Sequence, residues 1–413
     1  MIKVNKKYRK IGLIFLFFQI FLLLIIPSGH SQQSGSWRYK FQSNTIATAF
    51  DEVHISSNGN HIIAGNLNKL YFFNRSRSTP IWIYETDDFI NSVAISADGS
   101  IAATGTRNGT TYCFKTFDYN LTTSLITPFW YYSIGTGINV VSITGDGTRV
   151  VSGGTGIYLF NNTDLGYVFN SSAFQPLYSY PTGLAIDSLD ISSDGNYVVV
   201  GMSSEVLLLN GTNLNYLWSY SIGGYSISIS ADGSLFAVGS LDNHVYVFNS
   251  SISTPKWNYT TLGYVTEIAI SGDSAYITAG GQNNRLYLFN SSGSTPEWNY
   301  EPGNDVNSVA ISLDGRYIAT GVRDASTKIA VLIFNRSSAT PILNLAQTGQ
   351  TNSIDISADG RYIIAKAGYD FTMYDRENPT IISGGAIDFY IIPGMVGVIG
   401  VMSVLLFRMR KRY

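Results

Sequence analysis

Four histidines and one cysteine are the side chains of this 413-residue chain whose ordinary pKa values lie closest to neutrality. Proton transfer or nucleophilic attack would have to start from them. His30 falls in an N-terminal stretch that reads as an export signal. His54 and His61 flank one hairpin, His244 stands far along the chain, and Cys113 has no second cysteine to pair with. A metal needs three or four converging ligands with supporting partners, and no His, Cys or carboxylate cluster is spaced for one. Asp98, Asp146, Asp194, Asp232, Asp314 and Asp359 recur like a carboxylate array, but each precedes a glycine. An Asp-Gly pair is a turn whose carboxylate bonds its own backbone. There is no GxSxG elbow, and a nucleophile without a base is inert. No glycine-rich strand-to-helix loop offers to cradle a phosphate. The residues therefore predict no catalytic group, no metal site and no cofactor.

The elements around these residues repeat. Aligning on an IS-x-DG core gives EVHISSNG (52–59), SVAISADG (92–99), VVSITGDG (140–147), SLDISSDG (188–195), SISISADG (226–233), EIAISGDS (267–274), SVAISLDG (308–315) and SIDISADG (353–360). The anchors Ile55, Ile95, Ile143, Ile191, Ile229, Ile270, Ile311 and Ile356 stand roughly 40–48 residues apart, the period of propeller blades. In the unit at 226–259, Ile227 and Ile229 alternate with serines at period 2, which predicts a strand with one buried face. Asp232-Gly233 turns the chain into LFAVGS, then LDN turns it into HVYVFN. PKWNY (255–259) follows as an aromatic fourth strand. Its counterparts are WRY (37–39), IWIY (81–84), FWYY (129–132), LYSY (177–180), LWSY (217–220), EWNY (297–300) and ILNL (342–345).

This unit resembles the WD40 and quinoprotein-like (PQQ-type repeat) β-propellers over about residues 37–375. The Asp-Gly turn, the second turn and the closing strand sit where WD40 units have them. Where such a unit ends in Trp-Asp, this chain has YFFN, YLFN, LLLN, YVFN, YLFN and LIFN, with Tyr374-Asp375 nearest the pattern. The opening Gly-His is missing, so apolar packing must replace the family's buried polar network. The glycine-rich consensus of the quinoproteins is missing too. The resemblance implies an all-β propeller of four-stranded blades. Eight cores predict eight blades, with seven the alternative if the irregular 115–170 region distorts one. Trp37–Tyr39 precedes every core, so it is expected to become the outer strand of the last blade and close the ring.

Both ends carry membrane signals. A basic start, an apolar run at 11–26 and small residues at Gly29 and Ser31 read as a signal peptide over 1–31, with an uncleaved anchor as the alternative. Residues 389–407 carry no charge and RMRKR follows, which predicts a transmembrane helix over 386–407 and a cytoplasmic tail at 408–413. The propeller (32–375) and a linker (376–385) are then expected outside the cell membrane. The three glycines of the span recur every third position, not every fourth, so no dimer is predicted. The ends hold nine of the 26 Lys/Arg, leaving a body of net charge near −10. That argues against nucleic acid and against adsorption to anionic lipid. Ten sequons, at Asn74, Asn108, Asn120, Asn161, Asn170, Asn210, Asn249, Asn258, Asn290 and Asn335, are candidate glycosylation sites on an exported chain. Six of them end a third strand, where Asn-Ser also suits a turn. The expected role is a cell-surface binding module for an extracellular protein or polysaccharide. The alternatives are a quinoprotein-like oxidoreductase, or another enzyme, using the propeller channel, and a scaffold for envelope assembly.

Overall fold

The computed structural model describes residues 36–40, 52–119, 125–162, 174–323, 329–346, 350–367, 370–379 and 381–382. The expected signal peptide, transmembrane helix and tail lie outside these residues, as do Asn120 and Asn170. Among the described residues no helix is long and apolar enough to cross a membrane.

The described chain forms eight antiparallel sheets, one for each repeat. The inner strands are Val53–Ile55, Ile90–Ile95, Val140–Ile143, Ile186–Ile191, Ser226–Ile229, Val265–Ile270, Val306–Ile311 and Thr351–Ile356. Blades 1 to 8 are numbered by these strands. The two sheets that the irregular 115–170 region enters, with first strands Ile90–Ile95 and Val140–Ile143, each have four strands, so the blades number eight and not seven. The aromatic segments form the outer strands, as their position in each unit predicts. Seven follow their own core, and Ser36–Lys40 lies in the eighth sheet with Trp37 opposite Met373. Ile381–Ile382, within the expected linker, runs parallel to Ser36–Trp37 on its far side.

The connections define two faces. Turns from first to second strand and from third to fourth lie on one, here the turn face. Those from second to third strand, and from one blade to the next, lie on the loop face. Apolar side chains fill the space between neighbouring sheets: Leu235, Val247 and Trp257 of blade 5 pack with Ile268, Ile277 and Phe289 of blade 6. Trp37 of blade 8 is fully buried with Val53, Tyr71 and Phe73 of blade 1. Each of the six tryptophans donates its indole N–H into the following blade: Trp37 to Arg75 O at 2.6 Å, Trp82 to Thr116 O at 2.9 Å, Trp130 to Asn162 Oδ1 at 2.8 Å, Trp218 to Ser250 O at 2.9 Å, Trp257 to Ser291 O at 2.9 Å and Trp298 to Arg336 O at 2.7 Å. Packing alone therefore does not join the blades; an indole bond stitches six of the eight junctions.

The Ser-x-Asp-Gly turns account for the most repeated letters of the sequence. In blade 7, Ser312 is buried, donates to Asp314 Oδ1 at 2.7 Å and accepts the Tyr317 N–H at 3.0 Å. The glycine meets two demands at once. Gly315 has φ +65°, and a Cβ there would lie 2.7 Å from the Tyr276 ring of the blade before. Backbone bonds then run from turn to turn. Asn58 N bonds Ala97 O, Ala97 N bonds Gly145 O, Gly145 N bonds Ser193 O and Asp194 N bonds Ala231 O. Ala231 N bonds Gly272 O, Asp273 N bonds Leu313 O, Leu313 N bonds Ala358 O, and Ala358 N reaches Ser57 O at 3.0 Å.

Candidate functional site

The inner strands surround a channel. Their inward edges have no neighbouring strand, so their N–H groups need other acceptors. Side chains of the blade before supply them: Ser92 Oγ accepts from Val141 N, Ser188 Oγ from Ile227 N, Ser226 Oγ from Ile268 N and Ser308 Oγ from Ile354 N, all at 3.1–3.2 Å. Where a blade carries a longer side chain at this height or at the next, the channel acquires charge. Those residues are Glu52, His54, Asp190, Glu267 and Asp355. They border a cavity of about 740 Å³ at the loop face and one of about 350 Å³ toward the turn face.

His54 is the centre of this group. Its Nδ1 lies 3.3 Å from Asp355 Oδ2 and its Nε2 3.3 Å from Glu52 Oε1. Burial disfavours the imidazolium, but the hydrogen bonds and charges of Asp355 and Glu52 outweigh it and hold the ring well above its ordinary value. Both carboxylates also accept backbone N–H groups, from Ile55 at 2.9 Å and from Val93 at 2.7 Å. Burial lifts the Asp190 carboxyl to about 6, against the N–H of Ile229, the Ser142 hydroxyl and the charge of His54. Glu267 is pushed to about 8 by burial and then by the charge of Glu52. The channel is thus a proton-holding, mainly acidic space. It contains no arrangement of nucleophile, base and orienting group among the described residues.

The other residues singled out in the sequence lie apart. His61 stacks on Phe72 with ring centres 5.5 Å apart, and burial lowers its pKa. It fills, in blade 1, the slot that Tyr276, Tyr317 and Tyr362 fill in blades 6, 7 and 8, each beneath the turn glycine of the next blade. His244 is on the loop face, with Nε2 3.0 Å from Thr260 Oγ1. Burial raises the thiol of Cys113 far above its ordinary range, between Trp130 and Phe160. No group of three or more His, Cys, Asp or Glu among the described residues is placed to hold a metal ion. The turn aspartates are engaged in turn bonds: in all six the N–H two residues on bonds their Oδ1, as Ser100 N does to Asp98 at 2.9 Å. The sequons are turns as well. Oδ1 of Asn74, Asn210, Asn249, Asn290 and Asn335 accepts both the N–H and the hydroxyl of the sequon's own Ser or Thr, as in Asn249 with Ser251 at 2.9 and 2.6 Å. Asn249 and Asn258 are exposed, and Asn108 donates its Nδ2 to Asp87 at 2.8 Å.

Reading the sequence for motifs missed the channel residues. Their signal was present in the aligned repeat. The position before the anchor isoleucine reads His54, Ala94, Ser142, Asp190, Ser228, Ala269, Ala310 and Asp355, and two residues earlier Glu52 and Glu267 stand where most blades have Ser. Variation within an otherwise uniform column marks the channel.

Exposed apolar side chains occur on both faces: the turn face has Phe117 and Leu125 on blade 2, Ile252 on blade 5 and Leu313 on blade 7, whereas the loop face gathers its own in neighbouring blades. On the loop face Leu184, Tyr225, Leu241, Leu262 and Tyr264 are exposed, with Leu262 at 77%, and all lie on connections of blades 3 to 6. Tyr225 also borders the larger cavity, beside Asp187 and Glu267. On the turn face the arginines gather in blades 7, 8 and 1, so the acidic net charge of the body conceals a basic arc.

The family model described as "WD domain, G-beta repeat" matches residues 78–115, 220–249 and 296–329, which take in the first three strands of blades 2 and 5 and the first two of blade 7. No curated protein matches the chain. Among solved structures, a chain of the "Crystal Structure of Mitotic Checkpoint Complex" is similar, with a TM-score of 0.54 and 15% identity over 84% of this chain and 94% of that one. At that identity the likeness concerns the fold alone. The matched repeats are similar to WD40 units, and the eight sheets, seven of four strands and one with Ile381–Ile382 added as a fifth, make this chain an eight-bladed β-propeller.

Proposed function

We propose that the chain is a membrane-tethered, externally displayed propeller that binds a partner protein through its loop face. The observation that carries the reading is the run of exposed Leu and Tyr side chains from Leu184 to Tyr264 beside the channel mouth. A patch of large apolar side chains around a polar cavity is the composition of an interaction surface, and tyrosines make rigid anchors. WD40 propellers generally serve as interaction scaffolds, which agrees with a channel whose polar groups are mostly engaged with the frame. The leucines favour a protein over a polysaccharide, and Asp187 and Glu267 at the mouth favour a basic group beside the partner's apolar anchors. Tethering rests on the apolar run 389–407 with its basic flank. Glycans fit best at the exposed Asn249 and Asn258. Ser36–Lys40, paired with the third strand of blade 8, is proposed to close the ring; its register and the burial of Trp37 against blade 1 support this.

A photo-crosslinking residue placed at Leu262, and separately at Leu125 near the turn face, tests the binding reading in the native cell. Adducts of one defined size from position 262 alone are expected. Equal adducts from both positions, or none from 262, overturn it.

A further inference from the structure

The turn face of blades 7, 8 and 1 carries Arg316, Arg336, Arg361, Arg376, Arg75 and Arg77. Arg361 is paired with Asp375 at 3.0 Å and Glu377 at 3.2 Å, while the other five have no carboxylate ion pair among the described residues. Three of these five are stacked across blade junctions. Arg75 of blade 1 lies 4.4 Å from the ring centre of Tyr362 in blade 8, Arg376 of blade 8 lies 3.7 Å from Tyr317 in blade 7, and Arg336 of blade 7 lies 4.5 Å from Tyr276 in blade 6. Arg376 Nε also donates to Gly360 O at 2.9 Å and Arg336 Nη1 to Asp314 O at 3.4 Å, so each guanidinium is held in place over its ring and its remaining N–H groups are left for an anion.

We infer that this arginine arc is a seat for anionic lipid headgroups and that it turns blades 7, 8 and 1 toward the membrane. The inference rests on the tethering reading above. Ile382 lies against Trp37 on the outer edge of blade 8, and six residues (383–388) separate it from the apolar run 389–407. Six residues reach at most about 22 Å, so the edge of blade 8 cannot stand far from the bilayer. That tether permits either face to point down, and charge decides between them. Near the tether the turn face of blades 7, 8 and 1 sets its six arginines against Asp314, Asp359, Asp375 and Glu377, whereas the loop face carries Asp87, Asp88, Asp187, Glu205, Asp242, Glu301 and Asp305 among its described residues, and two of its arginines, Arg107 and Arg285, are paired with Asp88 and Glu301. An anionic surface repels that face and attracts the arc, at a useful strength for each unpaired arginine near the headgroups. The leucine and tyrosine patch of blades 3 to 6 is then left facing outward.

The full chain, labelled at Ser338→Cys on the turn face or at Asn304→Cys on the loop face, is reconstituted into phosphatidylcholine vesicles with and without phosphatidylglycerol. A headgroup-borne quencher reports proximity. Quenching at position 338 is expected to rise about twofold or more with phosphatidylglycerol, to stay unchanged at 304, and to lose the rise in the R316E/R336E/R376E variant. Carbonate-resistant association with pure phosphatidylcholine reads the tether separately. Association that resists carbonate, with no effect of phosphatidylglycerol, removes the seat and keeps the tether. No such association, but binding to phosphatidylglycerol vesicles that the triple variant loses, keeps the seat and removes the tether. Arc-dependent binding of heparin with no response to lipid charge overturns the seat. So does a glycan found at Asn74 or Asn335, since either would stand beside the arginines and hold the headgroups away.

Discussion

On the turn face, eight short turns of nearly one composition are joined to each other by backbone bonds and underpinned by buried Ser or Thr hydroxyls. On the loop face, the blade-to-blade connections read TDDF, IGTGIN, TGLA, SIGGY, TLGY and EPGND; Leu184, Tyr225, Leu262 and Tyr264 among them are exposed, while Ile138 is buried. The first face repeats because each turn must fit the next, so a change in one unit is felt in two. The second varies because little in the ring depends on it. Some loop connections are pinned: Thr182 Oγ1 donates to Thr155 O and to Leu184 O at 3.1 and 2.7 Å, and Thr86 and Thr261 do the same in blades 1 and 5. Those bonds fix one loop each and do not run round the ring. Stability and recognition are therefore expected to separate between the faces, and substitutions can break that separation.

The largest effects are expected at Trp37 and the strand that carries it. Trp37 is fully buried between blades 8 and 1 and bonds Arg75 O at the turn face. Trp37→Ala should cost about 3–5 kcal/mol, read from urea unfolding of the purified chain. Removal of Ser36–Lys40 should cost more and promote association through the bared edge of the third strand of blade 8. A deletion variant that melts like the parent and stays monomeric would show that this strand does not close the ring.

One buried hydroxyl of the turn girdle comes next. Ser312→Ala leaves the Tyr317 N–H without its acceptor and frees Asp314, and should cost about 1–3 kcal/mol. Thr182→Ala on the exposed loop face is the matched control and should cost less than half as much. Equal losses would erase the distinction between the faces.

These positions also mark how far the sequence could be read. The turn motif, the outer aromatic strand and the count of eight were legible because each is local, contained in one unit and copied seven times. The bonds that join units were not. His54 meets Asp355 across 301 residues, Trp37 meets Arg75, and Arg75 meets Tyr362. In each pair the partners become neighbours only when the first blade lies beside the last. A repeat shows what every unit shares, while the chemistry of the channel lies in the few positions where units differ.

Between the faces, the channel should set the pH response. His54 is held above its ordinary value, so the stability from its charge is complete below about pH 6.5 and lost as pH climbs through its raised pKa. Glu267, at about 8, keeps its proton in the fold where the unfolded chain has lost it, so stability falls as pH rises toward 8. Asp190, at about 6, acts in the same direction over a more acidic range. Asp98, Asp146 and Asp232 act oppositely: turn hydrogen bonds outweigh partial burial and hold them below their ordinary value, so acid removes their contribution as pH falls through their depressed pKa values. The midpoint of thermal unfolding should be higher at pH 5.5 than at pH 8.5. Glu267→Gln should flatten that difference while leaving the acid limb in place. An unchanged slope in the variant would mean that Glu267 is already ionised in the fold.

The smallest stability effect is expected where the binding effect should be clearest. Leu262 is 77% exposed and touches little of the frame, so Leu262→Ser should stay within about 0.5 kcal/mol of the parent. Tyr225→Ser and Tyr264→Ser remove half-exposed rings and should also leave the fold intact. Interfaces concentrate energy in a few aromatic anchors surrounded by near-neutral contacts, so partner capture should fall in unequal steps, most for one tyrosine and least for a leucine. An enzyme would respond differently, because losing one base or nucleophile costs orders of magnitude. Replacing His54, His61, His244 and Cys113 in turn, with circular dichroism to confirm the fold, provides that contrast. Graded loss from the loop face, with activity kept within a few-fold in the four single variants, is the outcome expected of a binding ring. If loss of His54 abolishes activity in a folded protein, the function lies in the channel, and the loop face is only its rim.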